Sequence, residues 1–269
     1  MKKFGGQWTK DKLEALDSYV TFYLTALKNQ NFYKVYIDCF AGCGNITLPS
    51  GEEIVGSVNI VLNNNLKFDE YIFIEKMKSN YFKLEEIKKK HPELNIKIIN
   101  ADCNIVLPNL IKFYNWKKTR GILFLDPYAT QTPFSTLQLI ANTNALDVWY
   151  LFPFGAVNRL LKNDGHINDE WRTILNSVLG TDRWMEELYK ENIQLNLFGN
   201  VDLEKTDPEK VRNYIYKRLS TVFPYVSKNY LVLKNKKNSP LFLLFLMISN
   251  NSNSAIRLVK KVENYILKE

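Results

Sequence analysis

The chain has 269 residues, 46% of them hydrophobic and 24% charged, and its formal net charge is +8. This balance is typical of a globular protein with one large α/β domain and an insertion, or with two domains. The longest apolar run, residues 241–248, is too short to cross a bilayer, and the N-terminus lacks the apolar region of a signal peptide. We therefore expect a cytoplasmic protein without a membrane span.

The charge favours a polyanionic partner. A basic chain with a pI of about 9.1 suits nucleic acid, although a lysine-rich composition can also reflect codon usage of the host. Its three cysteines, Cys39, Cys43 and Cys103, are an odd and small number, which fits reduced thiols. With two histidines and no third cysteine near Cys39 and Cys43, we expect no metal site.

An amphipathic helix is predicted at about residues 10–28. Its apolar residues recur at helical spacing and define one buried face. They are Leu13, Leu16, Val20, Tyr23 and Leu27. Residues 1–30 are thus predicted to form an N-terminal helical lead-in.

A short apolar run follows at residues 35–37 and ends at Asp38, before two glycines, Gly42 and Gly44. This pattern predicts a buried parallel strand that leads into a ligand-binding turn, because glycine lets a ligand lie against bare backbone. A carboxylate at this turn would repel a pyrophosphate but suits a cationic nucleoside such as S-adenosylmethionine. A plain tight turn is the simpler alternative.

The next strands also end in acids. A helix at 52–65 and a strand at 71–74 lead to Glu75, which is placed to accept hydrogen bonds from ribose or, alternatively, to cap the next helix. After a strand at 95–100, Asp102 is placed to face an adenine amino group or to cap a helix, and both roles are compatible.

A fourth strand, 121–125, ends in Asp126-Pro127-Tyr128. Ligands of open α/β sheets bind beyond the carboxyl ends of strands near the point where the strand order reverses, so Asp126 should face the ligand of the glycine turn. The fifth strand is predicted at 148–152.

A change of pattern at 156–226 predicts a helical insertion, after which residues 230–233 and 241–249 form an antiparallel hairpin and 254–267 a helix. Five parallel strands followed by a hairpin that reverses the last strand is the layout of the class I methyltransferase fold. We therefore predict an α/β, Rossmann-like fold with a seven-stranded sheet, formed by residues 31–155 and 227–269.

Several short motifs stand out within about residues 4–160. They are Gly5-Gly6-Gln7-Trp8-Thr9 with Lys12-Leu13, Ile37-Asp38-Cys39-Phe40-Ala41-Gly42-Cys43-Gly44, Gly56-Ser57, Leu125-Asp126-Pro127-Tyr128 and Trp149-Tyr150-Leu151-Phe152-Pro153. Through these motifs the sequence resembles one family, the three-Cys-motif partner proteins. This chain departs from the family at Cys43, where proline is common, so no role is assigned to that thiol.

The resemblance implies a methyltransferase-like protein with S-adenosylmethionine as cofactor. It also implies a possible partner protein of the radical S-adenosylmethionine type, which carries the three cysteines of the family name. The candidate cofactor-binding residues in this chain are Asp38, Phe40, Gly42, Gly44, Glu75, Asp102 and Cys103.

Asp126-Pro127-Tyr128 resembles the motif of amino-methyltransferases that act on adenine, and the three residues are the candidate catalytic set. In such a motif the acid and a backbone carbonyl hold the N–H groups of an exocyclic amine, and the aromatic ring stacks on the base. Here one proline replaces the usual two, so Phe134 or Phe154 is an alternative platform.

The sequence thus predicts an S-adenosylmethionine-dependent methyltransferase acting on a base amine of DNA or RNA, most simply adenine N6. Two alternatives remain open: a non-catalytic module that binds cofactor and docks the partner protein, and a nicotinamide-dependent oxidoreductase. Asp38 and the lack of a third glycine, with Thr47 at its place, argue against the last.

Overall fold

The computed structural model describes residues 7–47, 51–192 and 202–267, and Gly5 and Gly6 of the first motif lie outside them. A central eight-stranded sheet has the order β10-β12-β7-β6-β1-β4-β5, with β11 paired to β12. The strands of this sheet are β1 (Tyr33–Asp38), β4 (Glu70–Ile74), β5 (Ile96–Ile99), β6 (Thr119–Leu125), β7 (Leu146–Phe152), β10 (Tyr225–Val226), β11 (Leu231–Lys234) and β12 (Pro240–Ile248).

Five neighbouring strands run parallel, in the order β5-β4-β1-β6-β7. β12 then pairs with β7 in the antiparallel direction, and both β10 and β11 pair antiparallel with β12. The two short strands pair with successive parts of β12, so the edge position holds two strands and the count is eight rather than the predicted seven. The strand order and the reversed strand confirm the class I methyltransferase fold.

Helices cover both faces of the sheet. They are α1 (Gln7–Ala26), α2 (Ser57–Asn63), α3 (Lys78–Lys89), α4 (Cys103–Phe113), α5 (Phe134–Ala141), α6 (Phe154–Leu160), α7 (Asp169–Leu179), α8 (Trp184–Leu188), α9 (Pro208–Ser220) and α10 (Asn253–Ile266). Successive residues of β1 alternate between two hydrophobic clusters: Val35 and Ile37 belong to the cluster that α4–α9 share, whereas Tyr36 belongs to the cluster that α1, α2 and α10 share. The sheet is therefore buried on both sides, as a parallel sheet requires.

Besides the strand count, the structure differs from the sequence predictions at two places. The predicted helix at 52–65 is a short strand, β3 (Glu53–Val55), followed by α2, and β3 pairs with β2 (Asn45–Thr47). The segment 156–226 also holds a two-stranded sheet, β8 (Tyr189–Asn192) with β9 (Asp202–Lys205), besides its helices. Strands of three or four residues, as in these pairs, are too short for an alternating pattern to stand out in the sequence. Across the part of the chain that is described, no helix has both the length and the apolar character that a bilayer crossing needs.

Candidate functional site

The carboxyl ends of the parallel strands bring the candidate residues to one edge of the sheet. β1 ends at Asp38, which is in register with Phe73 of β4 and Phe124 of β6. Glu75 and Asp126 come one residue after the ends of β4 and β6. Because the strands are parallel, these carboxylates lie at the same edge, here called the carboxyl edge.

The turn after β1 contains two glycines with different surroundings. Both have a positive φ, +64° at Gly42 and +86° at Gly44, which L residues rarely adopt. A Cβ on Gly42 would meet no atom within 4 Å, whereas a Cβ on Gly44 would come within 2.2 Å of Ile87 Cδ1. Gly42 thus leaves open space at the carboxyl edge, and Gly44 permits close packing of the turn on α3.

Asp38 is fully buried at the start of this turn. Its Oδ2 accepts a hydrogen bond from the Ser57 hydroxyl at 2.6 Å, and its Oδ1 accepts from the Phe40 N–H at 3.1 Å. Burial raises the pKa of Asp38 to about 7, although these two hydrogen bonds act in the opposite direction. The carboxyl group therefore changes charge near neutral pH, where a cationic ligand would favour the ionised form.

Glu75 joins two loops of the edge. Its Oε2 accepts from the Gly42 N–H at 2.8 Å, and its Oε1 accepts from the Met77 N–H at 2.6 Å. Met77 is the residue before α3, so Glu75 does hold the start of the next helix, as the alternative reading of the sequence proposed. A carboxylate has about four acceptor sites, so these contacts leave capacity for a ligand hydroxyl.

Asp102 caps α4: its Oδ1 accepts from the Asn104 N–H at 3.0 Å, and its Oδ2 lies 3.1 Å from Lys76 Nζ. Burial raises the pKa of Asp102, but the Asn104 N–H and the Lys76 ammonium outweigh burial and hold the pKa below its ordinary value. Cys103, the first residue of α4, is buried in the core cluster. Phe40 is partly buried against the same cluster.

Asp126 forms an ion pair with Lys12 of α1. The Lys12 side chain is 4% exposed and that of Asp126 25%, so the carboxylate lies between the buried ammonium and solvent. The next residue, Pro127, is buried, and the Tyr128 side chain is 70% exposed. The start of α4 is tied to the loop after β6, because Asn104 Nδ2 donates to the Gln131 carbonyl at 2.8 Å.

The alternative platforms suggested by the sequence lie elsewhere. Phe134 and Phe154 are 3% and 1% exposed, respectively. Both begin helices and belong to the core cluster. A ring buried in this way cannot stack on a base without repacking, so Tyr128 is the better placed of the three aromatic residues. Among the described residues, no group of three or more histidine, cysteine or acidic side chains could hold a metal ion.

The sequence matches neither a family model nor a curated protein. Among solved structures, protein LPL1258 from Legionella pneumophila is similar, with a TM-score of 0.51 and 14% identity over 96% of this chain and 93% of that chain. An S-adenosylmethionine-dependent methyltransferase from Clostridium acetobutylicum has a TM-score of 0.36 and 12% identity, covering 86% of this chain and 91% of that chain. For the N-terminal domain of EvdMO1 with SAH bound, the TM-score is 0.40 and the identity 10%, over 87% of this chain and 79% of that chain. At these identities a likeness concerns the fold alone.

Two residues of the edge had no assigned role in the sequence analysis, Lys12 and Ser57. Each appeared there only within a motif. A signal for Lys12 does exist: it falls four residues after Trp8 and four before Leu16, on the buried face of α1. A lysine on such a face requires a carboxylate or carbonyl partner. Ser57 has no comparable signal, because a serine at the start of a helix is common.

Proposed function

We propose that this protein is an S-adenosylmethionine-dependent methyltransferase. The observation that carries the proposal is the meeting of an open glycine turn with the carboxylates of Asp38, Glu75, Asp102 and Asp126 at one edge of a class I methyltransferase sheet. An acid-rich edge suits a cationic nucleoside with ribose hydroxyls and disfavours the pyrophosphate of a dinucleotide. The fold domain in this proposal comprises residues 31–155 and 227–269, with 156–226 as an insertion.

Each part of the cofactor has a proposed binding group in this chain. The turn with Phe40, Gly42 and Gly44 would hold the methionine part, with Asp38 beneath it as the counter-charge. Glu75 would accept from the ribose hydroxyls. The turn of Asp102 and Cys103 would bind the adenine. The open space at Gly42, which a Cβ would enter, supports this arrangement.

The proposed acceptor is an exocyclic amine of a nucleic-acid base, most simply adenine N6. When bound, the cofactor supplies a methyl group on a sulfonium. Asp126, with a partly exposed carboxylate, would accept a hydrogen bond from the amine, and the backbone carbonyl of Pro127 could accept the other. Tyr128 supports a base substrate because its exposed ring follows directly. The net charge of +8 supports a polyanionic substrate, either DNA or RNA.

One observation favours a second candidate function. Asp126 is already paired with Lys12, so part of its acceptor capacity is used within this chain. A non-catalytic module that binds cofactor and docks a three-cysteine partner of the radical type would have no need of such an acceptor. This candidate predicts cofactor binding without methyl transfer.

Label transfer from methyl-tritiated S-adenosylmethionine to DNA and RNA of the native host distinguishes the two candidates. The catalytic candidate predicts transfer by the wild type and a loss of about 10²-fold or more in Asp126→Ala, which keeps cofactor binding. Alanine is used because the amide oxygen of asparagine would still accept a hydrogen bond from the amine. Binding of cofactor without transfer to either nucleic acid, with and without the partner, would support the docking module instead.

A further inference from the structure

The ammonium of Lys12 is buried within the carboxyl edge. It pairs with Asp126 and lies 5.8 Å from the ring centroid of Trp8 and 5.7 Å from that of Phe124. Rings at this distance attract a cation through their faces. Burying a lysine is costly unless its charge is balanced, so the position points to a specific role for the charge rather than for the bulk of the side chain.

Asp38 lies close to this ion pair. Asp38 is the register partner of Phe124 in β6, and the Cys39 N–H donates to the Phe124 carbonyl at 3.0 Å. The Phe124 ring lies 5.7 Å from the Lys12 ammonium, and Asp126 follows Phe124 by two residues. The Asp126 charge opposes ionisation of Asp38, and the Lys12 charge favours it.

The groups that face Asp38 come from four parts of the chain. They are the Phe40 N–H of its own turn, the Ser57 hydroxyl of α2, the Asp126 carboxylate after β6 and the Lys12 ammonium of α1, beside the neutral side chains of Tyr36 and Cys39. Asp126 raises the pKa of Asp38, and Lys12 lowers it. The two charged neighbours therefore oppose each other.

We infer that Lys12 is a positioning residue that acts as the shared counter-ion of Asp38 and Asp126, which makes the N-terminal helix part of the cofactor site. The identity of the ligand, S-adenosylmethionine, rests on the proposed function. The charge relation itself does not, because it concerns only side chains of this chain.

Replacing Lys12 and replacing Asp126 should shift the pKa of Asp38 in opposite directions. In Lys12→Met the Asp126 charge acts on Asp38 without the opposing Lys12 charge, and the pKa of Asp38 rises further. In Asp126→Asn the repulsive charge is gone while Lys12 remains, so the pKa of Asp38 falls. The double variant, Lys12→Met with Asp126→Asn, removes both charges and returns the pKa towards the wild-type value.

The experiment is a pH titration of the Asp38 carboxyl carbon by NMR in the full chain, together with calorimetry of S-adenosylmethionine binding across the same pH range. We expect the midpoint of the Asp38 titration to move to higher pH in Lys12→Met, to lower pH in Asp126→Asn, and back towards the wild-type pH in the double variant. The pH profile of S-adenosylmethionine affinity should follow the midpoint. Loss of packing alone would not move the two single variants in opposite directions.

Lys10→Met is the matched control, because Lys10 lies on the same helix but pairs with Glu52 and is 36% exposed. It should leave the midpoint unchanged. Equal midpoints in wild type and Lys12→Met, or shifts of the same sign in both single variants, would overturn the shared counter-ion. If the carbon titration behaves as expected but S-adenosylmethionine does not bind at any pH, the proposed function fails and the charge relation stands.

Discussion

Two acids with the same perturbation lie at opposite edges of the sheet. Asp38 is the last residue of β1, at the carboxyl edge, and Asp147 is the second residue of β7, at the amino edge. Burial raises the pKa of each to about 7. By that measure alone, the two acids are equal candidates for a functional site.

Their surroundings separate them. Asp147 accepts the Tyr19 hydroxyl at 2.7 Å, and Glu70 at the same edge accepts from Tyr114 at 2.7 Å and from Lys97 at 2.8 Å. Asp147 thus joins α1 to β7, and Glu70 joins β4 to β5 and to the residue that ends α4. Asp38 is also held by a helix, through the Ser57 hydroxyl of α2, but its second partner is the Phe40 N–H of a turn whose Gly42 opens to free space. A raised pKa therefore marks a buried acid, and open backbone beside it marks a candidate site.

The largest expected effect comes from Glu75→Ala. This change removes the carboxylate that accepts from the Gly42 and Met77 N–H groups, and the loss of two hydrogen bonds to a charged group should cost about 2–4 kcal/mol of unfolding free energy. Urea unfolding measures that loss, and calorimetry should show loss of S-adenosylmethionine affinity as well. The control, Glu70→Ala, should lose stability by a similar amount yet keep its affinity, since Glu70 lies at the amino edge. Equal affinity in the two variants would contradict the separation of the edges.

The two glycines of the turn give a finer comparison. Gly44→Ala should cost about 2–3 kcal/mol, because a positive φ is unfavourable for alanine and the new Cβ displaces Ile87. Gly42→Ala should cost only about 1 kcal/mol, since open space surrounds its Cβ, but it should weaken cofactor binding. Thermal unfolding measures the two stability costs, and calorimetry measures S-adenosylmethionine affinity. Unchanged affinity in Gly42→Ala would exclude the turn as part of the cofactor site.

The pH dependence of stability tests the amino edge. Because the pKa of Asp147 is raised from 3.8 to about 7, the native state binds the proton more tightly than the unfolded chain, and stability falls as pH rises through this range. We expect Asp147→Asn to flatten the curve of unfolding free energy between these pH values by about 1–3 kcal/mol. Parallel curves for wild type and variant would show that burial does not perturb Asp147.

The smallest effect on stability is expected for Tyr128→Ala. The ring is 70% exposed, so the unfolding free energy should change by less than about 0.5 kcal/mol. Single-stranded nucleic acid should nevertheless bind more weakly by about 1–3 kcal/mol if the ring stacks on a base. Phe113→Ala is the matched control, because Phe113 is 71% exposed at the far end of α4. Fluorescence titration with an oligonucleotide should separate the two variants, and equal affinities would exclude Tyr128 as a platform.

The fold was predictable from local patterns. Buried parallel strands appear as apolar runs, and the acids and glycines that end β1, β4 and β6 mark where each strand stops. The reversed hairpin was equally clear, because residues 235–239 separate two apolar segments. The sequence could not supply the pairing of Lys12 with Asp126, because these residues are 114 positions apart. It also missed β8 and β9, because strands of four residues are too short to show a clear alternating pattern.

The most direct test of the account is calorimetry of S-adenosylmethionine binding to wild type, Asp38→Asn and Asp147→Asn at about pH 8, above the raised pKa of both acids. We predict that the wild type binds and that Asp38→Asn binds at least about 10-fold more weakly, since it loses a charged partner for the cationic ligand. Asp147→Asn should bind like the wild type. Absence of binding by the wild type, or equal losses in the two variants, would contradict the assignment of the cofactor site to the carboxyl edge.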